Sequence, residues 1–168
     1  MTDTTTLARE RADLIESLDR HRSFLRYTVR GLTDEQAVQR TTASQLCLGA
    51  LIKHVAATEA AWVRFITGGA AGMGNDPEAW AREWRVEPGE TLEGLLAGYD
   101  SVARATDELV ATLPDLDASH PLPPAPWFEP GAAWSARRVL LHILAETAQH
   151  AGHADIIRES LDGQKTMG

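Results

Sequence analysis

The sequence is poor in cysteine, with Cys47 alone among 168 residues. A lone cysteine excludes an internal disulfide and a cysteine-built zinc site. Cations are scarce too: 16 Lys and Arg face 24 Asp and Glu, a formal net charge of −8. The basic residues form no cluster, so no nucleic-acid partner is expected, because a phosphate backbone calls for one. No run reaches the roughly 18 apolar residues a membrane span needs. The N-terminal MTDTTTLARERADL has no apolar h-region, so neither a signal peptide nor a membrane is expected, and the chain reads as cytoplasmic. Internal repeats and low-complexity tracts are missing, and no segment reads as a strand. What remains is ordinary globular usage, 43% hydrophobic and 24% charged. The length suits a single domain over residues 1–168.

Apolar residues recur at helical spacing in four long stretches. The first runs from Thr6 to Tyr27, with Leu7, Leu14, Ile15, Leu18, Phe24 and Leu25 on one side and Gly31 as its stop. Thr33-Asp34-Glu35-Gln36 then reads as a capping box opening a short turn. The second stretch runs from Ser44 to Thr67, capped by Thr42 or by Ser44 itself. An irregular stretch from Gly68 to Glu90 follows, with a short helix started by Asp76-Pro77-Glu78 and running through Trp84. A connection this long permits a crossover. The third helix spans Thr91 to Leu113, stopped by Pro114. A proline-rich loop, Pro121 to Pro130, leads to a last helix capped by Ser135 and ending before Gly163. The expected fold is all-α, a four-helix bundle.

The last helix carries an unusual face. At about 100° per residue, with His142 at zero, His153 falls near ~20°, Glu146 near ~40° and His150 near ~80°. Val139 and Ile157 fall among them. Ionisable groups on a core-facing stripe need partners or a metal ion. Glu146 and His150 are one turn apart, so both reach one divalent cation from a single helix. A third ligand must come from another element, and His54, between Leu51 and Val55 on the second helix, is the candidate. His153 can replace Glu146 as a ligand or serve the site from beside it. His142 reads as a packing residue below it, and His21 and His120 as surface or loop residues. Cys47 reads as a small buried hydrophobe. The five Trp read mainly as packing, with Trp127 and Trp134 placed to wall a pocket. Arg137, Arg138 and Arg158 are candidates to pair with substrate carboxylates.

The run Thr42-Ala-Ser-Gln-Leu-Cys-Leu-Gly-Ala-Leu-Ile-Lys-His54-Val-Ala-Ala-Thr-Glu59-Ala-Ala-Trp62 resembles the second helix of DinB-superfamily proteins. Leu141-His-Ile-Leu-Ala-Glu146-Thr-Ala-Gln-His150-Ala-Gly-His153-Ala-Asp155-Ile-Ile-Arg158-Glu159 resembles the last helix of that superfamily's actinobacterial DUF664 branch. The resemblance covers nearly the whole chain. It implies up-down-down-up topology, with the long connection crossing between the second and third helices. It implies a divalent metal, zinc or nickel, held by His54, Glu146 and His150. In many members the last-helix pair is His-x-x-x-His. Glu146 departs from that pattern as the mycothiol-dependent maleylpyruvate isomerase relatives do, which favours an ion tolerant of oxygen, zinc first.

The resemblance further implies a mycothiol-like low-molecular-weight thiol as cosubstrate, S-transfer to a small-molecule electrophile, and a homodimer. His153 is then the catalytic candidate, as proton relay or ligand orienter. Two other readings share the site. One is a thiol-dependent cis–trans isomerase. The other is a non-catalytic, metal-stabilised ligand-binding or stress protein.

Overall fold

Cap and turn chemistry sets where each helix begins and ends. A computed structural model describes residues 4–74 and 76–166, with side chains from residue 8 onward. The four expected stretches are the long helices α1 (Thr4–Tyr27), α3 (Leu48–Gly68), α6 (Leu92–Thr112) and α7 (Ala136–Asp162). Short helices α2 (Asp34–Ala37), α4 (Ala70–Met73) and α5 (Pro77–Glu83) lie in the connections. The Leu7 side chain lies outside the described residues.

The caps expected for α2, α5 and α7 are in place. Thr33 and Gln36 bond each other's backbone N–H at the start of α2. Asp76 accepts from Glu78 with Pro77 at the first helical position of α5. Thr91 and Ser135 each accept the backbone N–H three residues on, opening α6 and α7. Caps of this kind contribute about 1 kcal/mol each. Gly163, at φ 80°, closes α7 in the left-handed conformation.

Two expectations need correction. Helix α3 begins at Leu48, not Ser44, and Cys47 is its cap residue without a side-chain hydrogen bond. The Thr42 and Ser44 hydroxyls instead accept from the backbone two residues on, at Ser44 and Leu46. Such local turns compete with helix, and here they win. The chain also has strands, which the sequence did not lead us to expect. β1 (Ser119–Pro121) pairs antiparallel with β2 (Ala133–Ser135), with His120 opposite Trp134. The ribbon pins the base of the proline-rich loop and delivers Ser135 to the start of α7. His120 is no free loop residue either. Its ring bonds the Ile66 carbonyl at 3.2 Å. It also packs on Gly69, where φ is +64° and an added Cβ would meet the ring at 3.2 Å.

The long helices close a ring of contacts: α1 against α7 and α6, and α3 against α6 and α7. Two apolar clusters fill it. One takes Leu25 from the end of α1, Leu51 and Val55 from the first half of α3, Leu92 and Tyr99 from the first half of α6, and Ile157 from the end of α7. The other takes Leu18 of α1, Phe65 and Ile66 from the end of α3, Val110 from the end of α6, and Val139 and Ile143 from the start of α7. Each such large side chain, fully buried, contributes about 1.5–3 kcal/mol. Along the helices, a buried Arg22–Glu59 ion pair lies between the two clusters. No helix among the described residues is long and apolar enough to cross a membrane.

Candidate metal centre and its cleft

His54 on α3 and Glu146 and His150 on α7 converge. Each offers a ligand atom, and these atoms lie within 4.8 Å of one another. The i, i+4 spacing puts Glu146 Oε2 3.6 Å from His150 Nε2. The His54 and His150 rings meet edge to face at 4.9 Å. Both histidines are buried, whereas Glu146 is half-buried and faces a cleft. The site therefore combines two enclosed imidazoles with one carboxylate open to a cavity.

Residues around the group fix its rings. His54 is stacked on Trp84, centroids 3.6 Å apart. Its Nε2 lies 3.4 Å from the Thr58 hydroxyl and its Nδ1 3.5 Å from Glu83 Oε2. That Nδ1 is buried and makes no hydrogen bond of good geometry. His153, half-buried, brings its Nδ1 to 3.4 Å from His150 Nδ1, on the side of the ring away from Glu146. It thus stands behind His150 and outside the converging trio. His142 puts Nε2 3.8 Å from Glu146 Oε1 and packs against the Trp62 and Trp134 rings. His21 is half-buried on α1 against Phe24, away from this group.

The electrostatics keep His54 and His142 neutral and Glu146 charged. Burial pushes the His54 pKa down to about 4, helped by the nearby His150 and opposed by Glu146. Burial also lowers His142. The adjacent His150 ring holds Glu146 below the usual carboxylate range, against the effect of burial. Burial raises Glu83, with Arg64 and Lys53 opposing. Neutral imidazole and ionised carboxylate are the forms that bind metal.

A pH dependence follows. Between 6.5, the ordinary value of His54, and about 4, its native value, the unfolded chain takes up a proton that the folded chain refuses. The contribution of His54 to stability is therefore intact above 6.5 and lost as pH falls toward 4. Urea unfolding of metal-stripped protein at pH 7 and pH 5 should show a larger drop for wild type than for His54→Gln. Equal drops would assign the pH dependence to other groups.

The cleft beside the trio holds about 780 Å³. Thr58, Ala61 and Trp62 of α3 and His142 and Glu146 of α7 line its inner side. The connection from Met73 to Glu83 and the proline-rich loop wall it outside. Trp127, expected near a pocket, lines it; Trp134 does not touch the space but stacks on Trp62 behind it. Two of the three arginine candidates are engaged elsewhere. Arg137 pairs with Glu10 and Asp117. Arg158 is buried on Asp162 and the Thr28 and Arg30 carbonyls. Arg138 lies over the Trp134 ring, 4.1 Å from its centroid. Cys47 is buried at the start of α3, as expected.

Sequence reasoning missed Glu83, Trp84 and Trp80. Trp80 and Trp84 sit one turn apart around α5, and that i, i+4 aromatic pair was the available signal.

No curated protein matches this chain. The model of the family described as Mycothiol-S-transferase matches residues 13–163. That span carries His54, Glu146, His150 and the whole cleft, and by it this chain belongs to the mycothiol-S-transferase family, within the DinB superfamily.

Proposed function

We propose that this chain is a divalent-metal-dependent enzyme that activates a mycothiol-like thiol for S-transfer to a small electrophile. The observation that carries this reading is the convergence of His54, Glu146 and His150 at the edge of the cleft. The donor set fits a metal. Two buried imidazoles, His54 favoured in the neutral form, and one ionised carboxylate match the three-ligand sets of catalytic zinc sites, which leave a position open. The buried, unbonded His54 Nδ1 is a further sign of a site built for more than packing. We assign zinc first, with nickel as the alternative.

When bound, the ion supplies Lewis acidity that favours the thiolate form of a thiol at the open position. The remaining work falls to the chain. Glu146 holds negative charge at the cleft wall and offsets part of the charge of the ion. Trp84 fixes the plane of His54. His153 faces His150 nitrogen to nitrogen, so only one of the two facing Nδ1 atoms carries the proton between them. With that proton on His150 Nδ1, Nε2 is left with its lone pair toward Glu146. His153 is thus the positioning residue of the site and our candidate for its proton relay. The order of the two apolar clusters along α1, α3, α6 and α7 supports the up-down-down-up bundle, with residues 69–91 as the crossover.

The test is elemental analysis of purified protein together with mycothiol consumption, with and without a chelator. We expect one divalent ion per chain and thiol transfer that chelation abolishes. Protein that binds no divalent ion and consumes no mycothiol overturns the proposal.

A further inference from the structure

The cleft carries information about the second substrate. Trp127 and Trp80 are 76% and 62% exposed, the two most exposed large hydrophobic side chains among the described residues. Both lie on this one cavity, although they come from different connections. Neither is loose. Trp80 abuts Trp84 at 6.3 Å, and Trp127 abuts Phe128, which abuts Trp134. Exposed indoles on one open space present flat apolar faces to a flat apolar partner. The volume of about 780 Å³ is ample for a fused-ring molecule beside a thiol.

Charge narrows the class. The cleft is lined by the carboxylates of Asp76, Glu83 and Glu146 and by a single cation, Arg64. The Arg64 guanidinium is turned onto the Gly72 and Met73 carbonyls. An anionic acceptor therefore meets three carboxylates and no free cationic side chain. A cationic one meets the divalent ion of the proposed function.

We propose that the cleft seats a flat, uncharged aromatic electrophile against the Trp80 and Trp127 indoles, next to Glu146. The role of that molecule as thiol acceptor and its lack of positive charge rest on the proposed function; its seat on the tryptophans does not.

The full chain, zinc-treated, is titrated calorimetrically with four unreactive probes: 1-naphthalenemethanol, cyclohexylmethanol, 1-naphthoate and 1-naphthylmethylammonium. We expect 1-naphthalenemethanol to bind about tenfold more tightly than each of the others. Trp80→Ala and Trp127→Ala should each weaken it about fivefold, with zinc content unchanged. Circular dichroism checks that both variants fold, and both side chains are exposed enough to remove without opening the core. Equal affinity for cyclohexylmethanol, tighter binding of either charged probe, or no loss in either variant overturns the proposal. Binding of 1-naphthalenemethanol to protein that takes up no divalent ion and consumes no mycothiol supports the seat and overturns the proposed function. Zinc-dependent mycothiol consumption without discrimination among the probes overturns the seat alone.

Discussion

Replacing Arg22 with Met should destabilise the protein by about 3–5 kcal/mol, the largest stability effect we expect of any single substitution. Arg22 is fully buried, and so is its partner Glu59 on α3. The guanidinium donates to both Glu59 carboxylate oxygens, with Nε at 3.3 Å from one of them. Its Nη1 reaches Asp19 at 2.9 Å and Asp107 at 2.8 Å, so one side chain ties α1 to α3 and α6. Burial disfavours the charge on Arg22, but Glu59 and Asp107 more than offset it and raise its pKa above the ordinary arginine value. Removing the cation leaves Glu59 without a counter-charge and without water. Asp19 and Asp107, being partly exposed, return to solvent at little cost.

The double replacement Arg22→Met with Glu59→Leu discriminates. It removes both charges and fills the space with apolar atoms, an exchange that is often neutral or stabilising. Urea unfolding should place the single variant far below wild type and the double variant close to it. If the two variants lose the same amount, the pair contributes through packing rather than charge.

No sequence pattern marks this pair, because Arg22 and Glu59 are far apart in the chain and lie on different helices. The helices themselves were legible. Ser135, Thr91, Pro77 and Gly163 mark their ends by local chemistry, which needs no tertiary information. The Glu146–His150 pair and the neighbouring His153 were legible for the same reason: one helix turn brings them together wherever the helix lies. His54 was legible only as a polar group on an apolar face, which required a partner.

What could not be read depends on competition or on distance. Ser44 can cap a helix or close a turn, and the sequence alone does not decide between them. Strands of three residues are too short to show alternation. Arg137 and Arg158 look available in sequence, yet carbonyls and carboxylates of other elements consume both. The aromatic rim of the cleft combines two connections, and only the fold sets Trp80 and Trp127 on one space.

His150→Ala should cost the most in function. The residue offers the only described imidazole that contacts Glu146 on one side and His153 on the other. Loss of a ligand should weaken zinc by at least about a hundredfold, since loss of a group that merely orients a ligand already costs 10–100-fold. The consequence for stability follows from mass action. At free zinc about 1,000 times its dissociation constant, wild type gains about 4 kcal/mol from binding. A hundredfold weaker site gains only about 1.4 kcal/mol at the same zinc concentration. Thermal unfolding with zinc and with chelator should therefore show a wide gap for wild type and a narrow one for His150→Ala, while the two metal-free proteins unfold at similar temperatures.

That last comparison separates the enzyme from a metal-stabilised binding protein. If the ion served chiefly to hold the helices, metal-free wild type would itself lose its cooperative transition. The two apolar clusters on either side of the site argue that it will not, because they join all four long helices without help from His54 or His150. His153→Ala gives the intermediate case, with zinc weakened about 10–100-fold through the freed His150 ring. Equal zinc affinity in His150→Ala and wild type would remove His150 from the ligand set.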